Sequence, residues 1–272
     1  QSALAGARGA LARYPDPNST ALRTALAERN GIEVDRIVCG TGSDEILHLA
    51  AGAYASIGDE ILYVRYGFTD YPLSARRVGA TPVEADDADY ATDIDALIAA
   101  ITPATRVIFL ANPNNPTGTY TPMSEIARLH DVMPEDCLLV IDQAYAEYLD
   151  PDEAVLPREL ARNANNILVT RTFSKIFGLA GLRIGYGIAH PEIIKKLNTL
   201  SRNFAPVAWL SLKAAIASYQ DHDFVRSVRE KTKQAKLFLY RELEKLGLFY
   251  IPSQTNFVLF KVDQDAGELT KK

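Results

Sequence analysis

Short apolar and β-branched runs alternate with longer stretches of helical periodicity through most of the chain, and no other feature narrows the possible folds as much. Arg36 to Cys39, Glu60 to Val64, Thr105 to Leu110, Leu138 to Ile141 and Ile167 to Thr170 read as strands. Asp44 to Ala55, Asp93 to Ile101 and Ser124 to Met133 read as amphipathic helices between them. The first of these carries Ile46, Leu47, Leu49 and Ala50 on one face, with Ser43 at the N-cap position. The alternation predicts an α/β fold: a three-layer α/β/α domain around a mostly parallel sheet. After Ala189 the pattern changes to two long helical stretches. The second, Asp223 to Leu246, places Phe224, Val228, Ala235, Leu239, Leu243 and Leu246 near one face and ends at Gly247. Phe249 to Ile251 and Asn256 to Phe260 then read as strands of a smaller α+β domain. The expected division is a large domain over 30–220, with 1–29 and 221–272 forming a smaller domain and a linking helix.

Composition adds exclusions. The 272 residues are 47% hydrophobic, enough to bury the core of one large and one smaller domain. Twenty-nine Lys and Arg against 34 Asp and Glu give a net charge of -5, so no overall basic field exists to hold nucleic acid or an anionic membrane. No run of about 18 apolar residues predicts a membrane-spanning helix. The opening QSALAGARGALARYPDP lacks the charged-then-apolar order of a signal peptide. Cys39 and Cys137 have no partner at metal-ligand spacing, which predicts reduced thiols in a cytoplasmic protein and no metal site.

Three constellations follow predicted strands, where parallel α/β sheets place their ligands. The first is Ala111-Asn112-Pro113-Asn114-Asn115-Pro116-Thr117-Gly118. It has the composition of an ordinary turn, but its density of amides behind a buried strand also suits ligand contact. The second is Asp142-Gln143-Ala144-Tyr145. Asp142 reads either as a loop carboxylate or as an anion in a poorly solvated place that pairs with a cation such as a protonated heterocycle nitrogen. The third runs from Thr172 to Tyr186. A lysine is a solvated surface residue by default, yet Lys175 is flanked by Phe173, Ile176 and Phe177, with Arg183 eight residues on. Partial burial and a neighbouring cation would make its amine nucleophilic toward a carbonyl. Ser174 and Arg183 suit a phosphate, and Gly40-Thr41-Gly42-Ser43-Asp44 at a helix start would add backbone amides to it. The combined demand is a phosphorylated aldehyde with a basic ring nitrogen and a phenolic oxygen, which describes pyridoxal 5′-phosphate.

These elements, with Tyr14-Pro15-Asp16-Pro17, Tyr66-Gly67-Phe68 and Ser253-Gln254-Thr255-Asn256-Phe257, resemble the fold-type I pyridoxal-phosphate aminotransferases in order and spacing. The resemblance implies transamination between a small-molecule amino donor and a 2-oxo acid. Histidinol phosphate with 2-oxoglutarate is the expected pair; an aromatic amino acid donor, or decarboxylation of an amino acid phosphate, is the alternative. It implies that Lys175 condenses with the cofactor aldehyde and then shuttles the substrate proton, and that Asp142 pairs with the ring nitrogen. Asn115 and Tyr145 would hydrogen-bond the phenolic oxygen, and Tyr66 would stack on the ring. Ser174, Arg183, Gly42, Ser43 and Asp44 would hold the phosphate, with Tyr14 reaching it from the second subunit of a homodimer. Relatives of this kind also carry an amide-rich segment before the Tyr-Pro element and a late carboxylate-binding arginine. The last arginine here is Arg241, inside the predicted long helix, so the smaller domain is expected to be incomplete at both ends.

Overall fold

One seven-stranded sheet decides where the ligand-bearing loops meet, its strands lying in the spatial order Ile37–Gly40, Gly185–Ala189, Ile167–Thr172, Leu138–Asp142, Thr105–Ala111, Glu60–Val64 and Thr81–Ala85. The computed structural model describes residues 12–201 and 207–270; the outermost ends of the expected smaller domain lie outside these residues. The strands are β1 (Ile37–Gly40), β2 (Glu60–Val64), β3 (Thr81–Ala85), β6 (Thr105–Ala111), β7 (Leu138–Asp142), β8 (Ile167–Thr172) and β9 (Gly185–Ala189). A separate hairpin is formed by β4 (Asp87–Ala88) and β5 (Ala91–Thr92). β9 pairs antiparallel with both β8 and β1, and the remaining ladders are parallel, so β9 alone runs against the other six.

The central strands read as continuous apolar runs because helices cover both faces of the sheet. Side chains alternate between two cores with period two. Val107, Phe109, Leu138 and Val140 face one, packed by Ile46, Leu47 and Ala50 of α2 (Ser43–Tyr54) and Ile193 and Leu197 of α7 (Pro191–Leu200). Ile108, Leu110, Leu139 and Ile141 face the other. Its cover comes from α4 (Ile94–Ala100), α5 (Met123–Val132) and α6 (Pro151–Asn163). Each fully buried Leu, Ile or Phe contributes roughly 1.5–3 kcal/mol, so the strand ends are rigid mounts. A third core gathers Leu22 and Leu26 of α1 (Thr20–Asn30), Leu212 and Tyr219 of α8 (Trp209–Gln220), and Phe173, Ile176 and Phe177.

Several expectations need correction. The N-cap of α2 is Gly42, and Ser43 is its first helical residue. The helix α1, assigned by the sequence division to the smaller domain, packs through Leu22 and Leu26 with Ile37 and Ile188 of the sheet. Among the described residues, the change after Ala189 yields three helices of ten residues or more, α7, α8 and α9 (His222–Lys245), and one short helix at Ala266–Leu269. In α9 the buried residues are Val225 and Leu243, whereas Phe224 is 44% and Leu246 70% exposed, so the apolar face is narrower than the periodicity implies. Gly247 does end it, at φ 66°. The two expected small-domain strands are reduced to one antiparallel bridge, Tyr250 to Phe260.

Candidate active site

Parallel register brings the ends of β6, β7 and β8 to one edge, where Ala111 pairs with Asp142 and Asp142 with Thr170. The reversed strand β9 starts at the same edge, with Gly185 beside both Gly40 and Thr172. There the loops enclose a cavity of about 190 Å³, whose wall includes Ser43, Asp44, Asn115, Asp142, Tyr145, Ser174, Lys175 and Arg183. Eight positions spread over 141 residues of sequence therefore meet in one place.

Asp142 forms the deep end. Its carboxylate accepts from Thr170 Oγ1 at 3.1 Å and from Tyr71 Oη at 3.2 Å. Burial is the larger influence and raises its pKa to about 6, while the Thr170 and Tyr71 bonds pull the other way. The groups acting on it are Thr170, Tyr71, Asp44 and the Ala144 amide, none of them cationic. A buried anion whose hydrogen-bond donors are all neutral, with a second carboxylate acting on it, is costly unless it is met by a cation.

The next loop is braced by its own amides. Asn112 and Thr121 exchange two hydrogen bonds, Nδ2 to the Thr121 carbonyl at 2.8 Å and the Thr121 amide to Oδ1 at 2.9 Å. Asn114 Nδ2 donates to the Tyr66 carbonyl and to Thr117 Oγ1. Those two asparagines hold the loop, leaving Asn115 on the cavity wall. The Asp142–Tyr145 segment is clamped from behind by Arg171, which donates to Gln143 Oε1 at 2.9 Å and pairs with Glu147 at 3.1 Å.

Lys175 stands at the mouth, on a loop whose neighbours Phe173, Ile176 and Phe177 are buried. The lysine itself is exposed rather than half-buried as expected, because those three aromatic and aliphatic anchors take the interior and leave it on the opposite side. Its Nζ lies 5.2 Å from the centre of the Tyr145 ring. Arg183, the cation expected beside it, donates instead to Asp44 Oδ2 at 2.8 Å.

Ser174, Arg183 and the start of α2 form the remaining end. The Ser174 hydroxyl accepts from Thr172 Oγ1 at 2.9 Å, which leaves its own proton to donate. The first turn of α2 offers backbone amides without helical partners and the positive end of the helix dipole. Two glycines permit this closeness. A Cβ on Gly42 would lie 2.7 Å from Arg183 Nη2, and one on Gly185 only 2.4 Å from the Ser43 amide nitrogen.

Three expected residues do not line the cavity. Tyr66 stacks on Tyr90 at 5.3 Å, and Phe68, two residues on, lines the wall. Gly42 sits behind Arg183, and Tyr14 is 90% exposed. Thr172 and Phe68, which fall within the motifs Thr172 to Tyr186 and Tyr66-Gly67-Phe68 but received no role there, also line the wall.

A family profile described as "Aminotransferase class I and II" matches residues 1–272. The chain belongs to the class I and II aminotransferases. It is 54% identical over 261 residues to the histidinol-phosphate aminotransferase of Sphingopyxis alaskensis, covering 95% of this chain and 70% of that protein. The corresponding protein of Zymomonas mobilis is 53% identical over 254 residues, covering 92% and 68%. Among solved structures, the histidinol-phosphate aminotransferase of Sinorhizobium meliloti in complex with pyridoxal-5′-phosphate superposes with a TM-score of 0.92 at 31% identity, covering 98% of this chain and 72% of that one. The cavity of this aminotransferase fits such a cofactor on its own chemistry. It has a cation-free buried carboxylate at one end, a lysine at the mouth, and a hydroxyl, a guanidinium and a helix N-terminus at the other.

Proposed function

We propose that the protein is a pyridoxal-phosphate-dependent aminotransferase that takes its amino group from histidinol phosphate and passes it to 2-oxoglutarate. The observation that carries the chemistry is the meeting of Asp142, Lys175 and Arg183 in one cavity. The choice of donor is supported by identities above 50% to histidinol-phosphate aminotransferases over more than nine tenths of the chain.

When bound, pyridoxal phosphate supplies an aldehyde that condenses with amines and a ring that accepts the electron pair left when a bond at the substrate α-carbon breaks. The chain's residues make this possible. Asp142 holds a proton on the ring nitrogen, and its buried setting strengthens that charge pairing. Tyr145 and Asn115 hydrogen-bond the phenolic oxygen. Ser174, Arg183 and the amides of Ser43 and Asp44 hold the phosphate. Lys175 Nζ would hold the resting cofactor at its aldehyde carbon and, when the substrate amine displaces it, would serve as the base that takes the α-proton and the acid that gives it back.

The same reading carries a cytoplasmic homodimer in which Tyr14 of each subunit reaches its neighbour's phosphate; its exposure in the single chain supports that use. Among the described residues, no helix is long and apolar enough to cross a membrane. Steady-state turnover tests the donor, with 2-oxoglutarate as acceptor: histidinol phosphate is expected to exceed phenylalanine in kcat/KM, and a preference of roughly tenfold for phenylalanine would overturn the assignment.

A further inference from the structure

Asp142 has a partner that neither the motif pattern nor the cavity wall reveals. Tyr71, in the first turn of α3 (Asp70–Arg77), is fully buried, and its hydroxyl lies 3.2 Å from Asp142 Oδ2. The ring is held on two sides, stacked on Phe109 at 4.8 Å and 8° and edge-on to Phe68 at 5.8 Å. Phe109 belongs to β6 and Asp142 ends β7, so the phenol is locked to the strand pair that presents the carboxylate. Thr170 holds the other oxygen from β8. Burial, with the charge of Asp142 second, pushes the phenol well above its ordinary range, so the hydroxyl keeps its proton and can only donate to the carboxylate.

We propose that Tyr71 is a positioning residue for the reaction: it fixes the Asp142 carboxylate in one orientation and preserves its negative charge in a buried site, so that a ring nitrogen meets an aimed anion. Without the phenol, Asp142 keeps the same burial with one fewer donor, and its protonated form gains. The other titratable groups on the same cavity wall are Asp44, Tyr145, Lys175 and Arg183, and a substitution at Tyr71 removes none of them.

The proposal rests on the pairing of Asp142 with the ring nitrogen, and its test separates the two. In the full chain stripped of cofactor, the Asp142 Cγ chemical shift is followed against pH in the parent and in Tyr71→Phe, which keeps the ring and its stacking. The midpoint is expected to rise by about one to two pH units in the variant. In the loaded enzyme, kcat is expected to fall roughly tenfold with KM for the amino donor nearly unchanged, because the lost bond acts on the ring and not on the donor. A phenol that serves packing alone would leave the Asp142 midpoint where it is in the parent, and that result overturns the proposal. If Asp142→Ala binds cofactor as tightly as the parent, the ring-nitrogen assignment falls, while the cofactor-free titration still decides whether Tyr71 governs Asp142.

Discussion

The two ends of the cavity are built in opposite ways. The Asp142 end is interior: its carboxylate is 5% exposed, braced by side chains from α3 and β8, and clamped behind by Arg171. The Arg183 end is half in solvent, with the Arg183 side chain 49% and its Asp44 partner's 47% exposed. An exposed ion pair of that kind contributes about 0–1 kcal/mol and is readily exchanged for a stronger one. The contrast teaches that the fold completes the electronic end of the site by itself. Under the proposed function, the Arg183 end would keep a weakly held cation ready for a phosphate dianion, with Asp44 as its place-holder.

Replacements along the cavity should break or sharpen that comparison. Lys175→Ala, between the two ends, should cost at least about 10⁴-fold in turnover, and borohydride reduction should no longer fix cofactor to the chain, as peptide mass will show. Asp142→Asn should slow α-proton removal by about 10²–10³-fold, read from the isotope exchange of the donor's α-hydrogen, while cofactor is still bound. An equal rate in that variant would remove the distinction between the ends.

The interior end also predicts a pH dependence of the cofactor-free protein. Asp142 is raised to about 6 from an ordinary 3.8, so between those values the folded chain binds more protons than the unfolded one. Stability should therefore fall as pH rises from about 4 to about 6, by about 3 kcal/mol in all, and stay low above that. Calorimetric unfolding across this window should show the loss in the parent and not in Asp142→Asn.

Arg183→Ala should weaken cofactor binding by about ten- to hundredfold in equilibrium dialysis. Asp44→Asn keeps the backbone amide and removes only the place-holder, so it should change affinity by less than about fivefold. A larger loss would mean that the Asp44–Arg183 pair is a built part of the site.

How much of this was legible in the sequence follows the same division. β6, β7 and β8 were readable because burial on both faces makes them uninterrupted apolar runs, and Asp142 and Lys175 follow directly from where those runs stop. β3 was missed because it is an edge strand with Pro82 and partly exposed residues. β9, Gly185 to Ala189, was hidden inside a glycine-rich motif. Tyr71 gave no signal at all: it sits beside Pro72 in a short helix, and its partner is 71 residues away. The family resemblance gave the stacking role to Tyr66, whereas the hairpin of β4 and β5 brings up Tyr90 to take that ring. Contacts made by chain folding between unlike elements leave no periodic trace.

The reversed strand has a further consequence. Because β9 returns directly beside β8, with Gly185 paired to Thr172, one excursion of chain carries both the amine of Lys175 and the guanidinium of Arg183. The ladder closes that excursion at its base, so under the proposed function it would set the spacing between a covalent tether at Lys175 and an ionic one at Arg183. Lengthening it by even one residue would shift the two anchors against each other, while insertions in the hairpin of β4 and β5 would leave the spacing untouched. On that reading, a single closed loop would hold the chain's measurement of the cofactor's length.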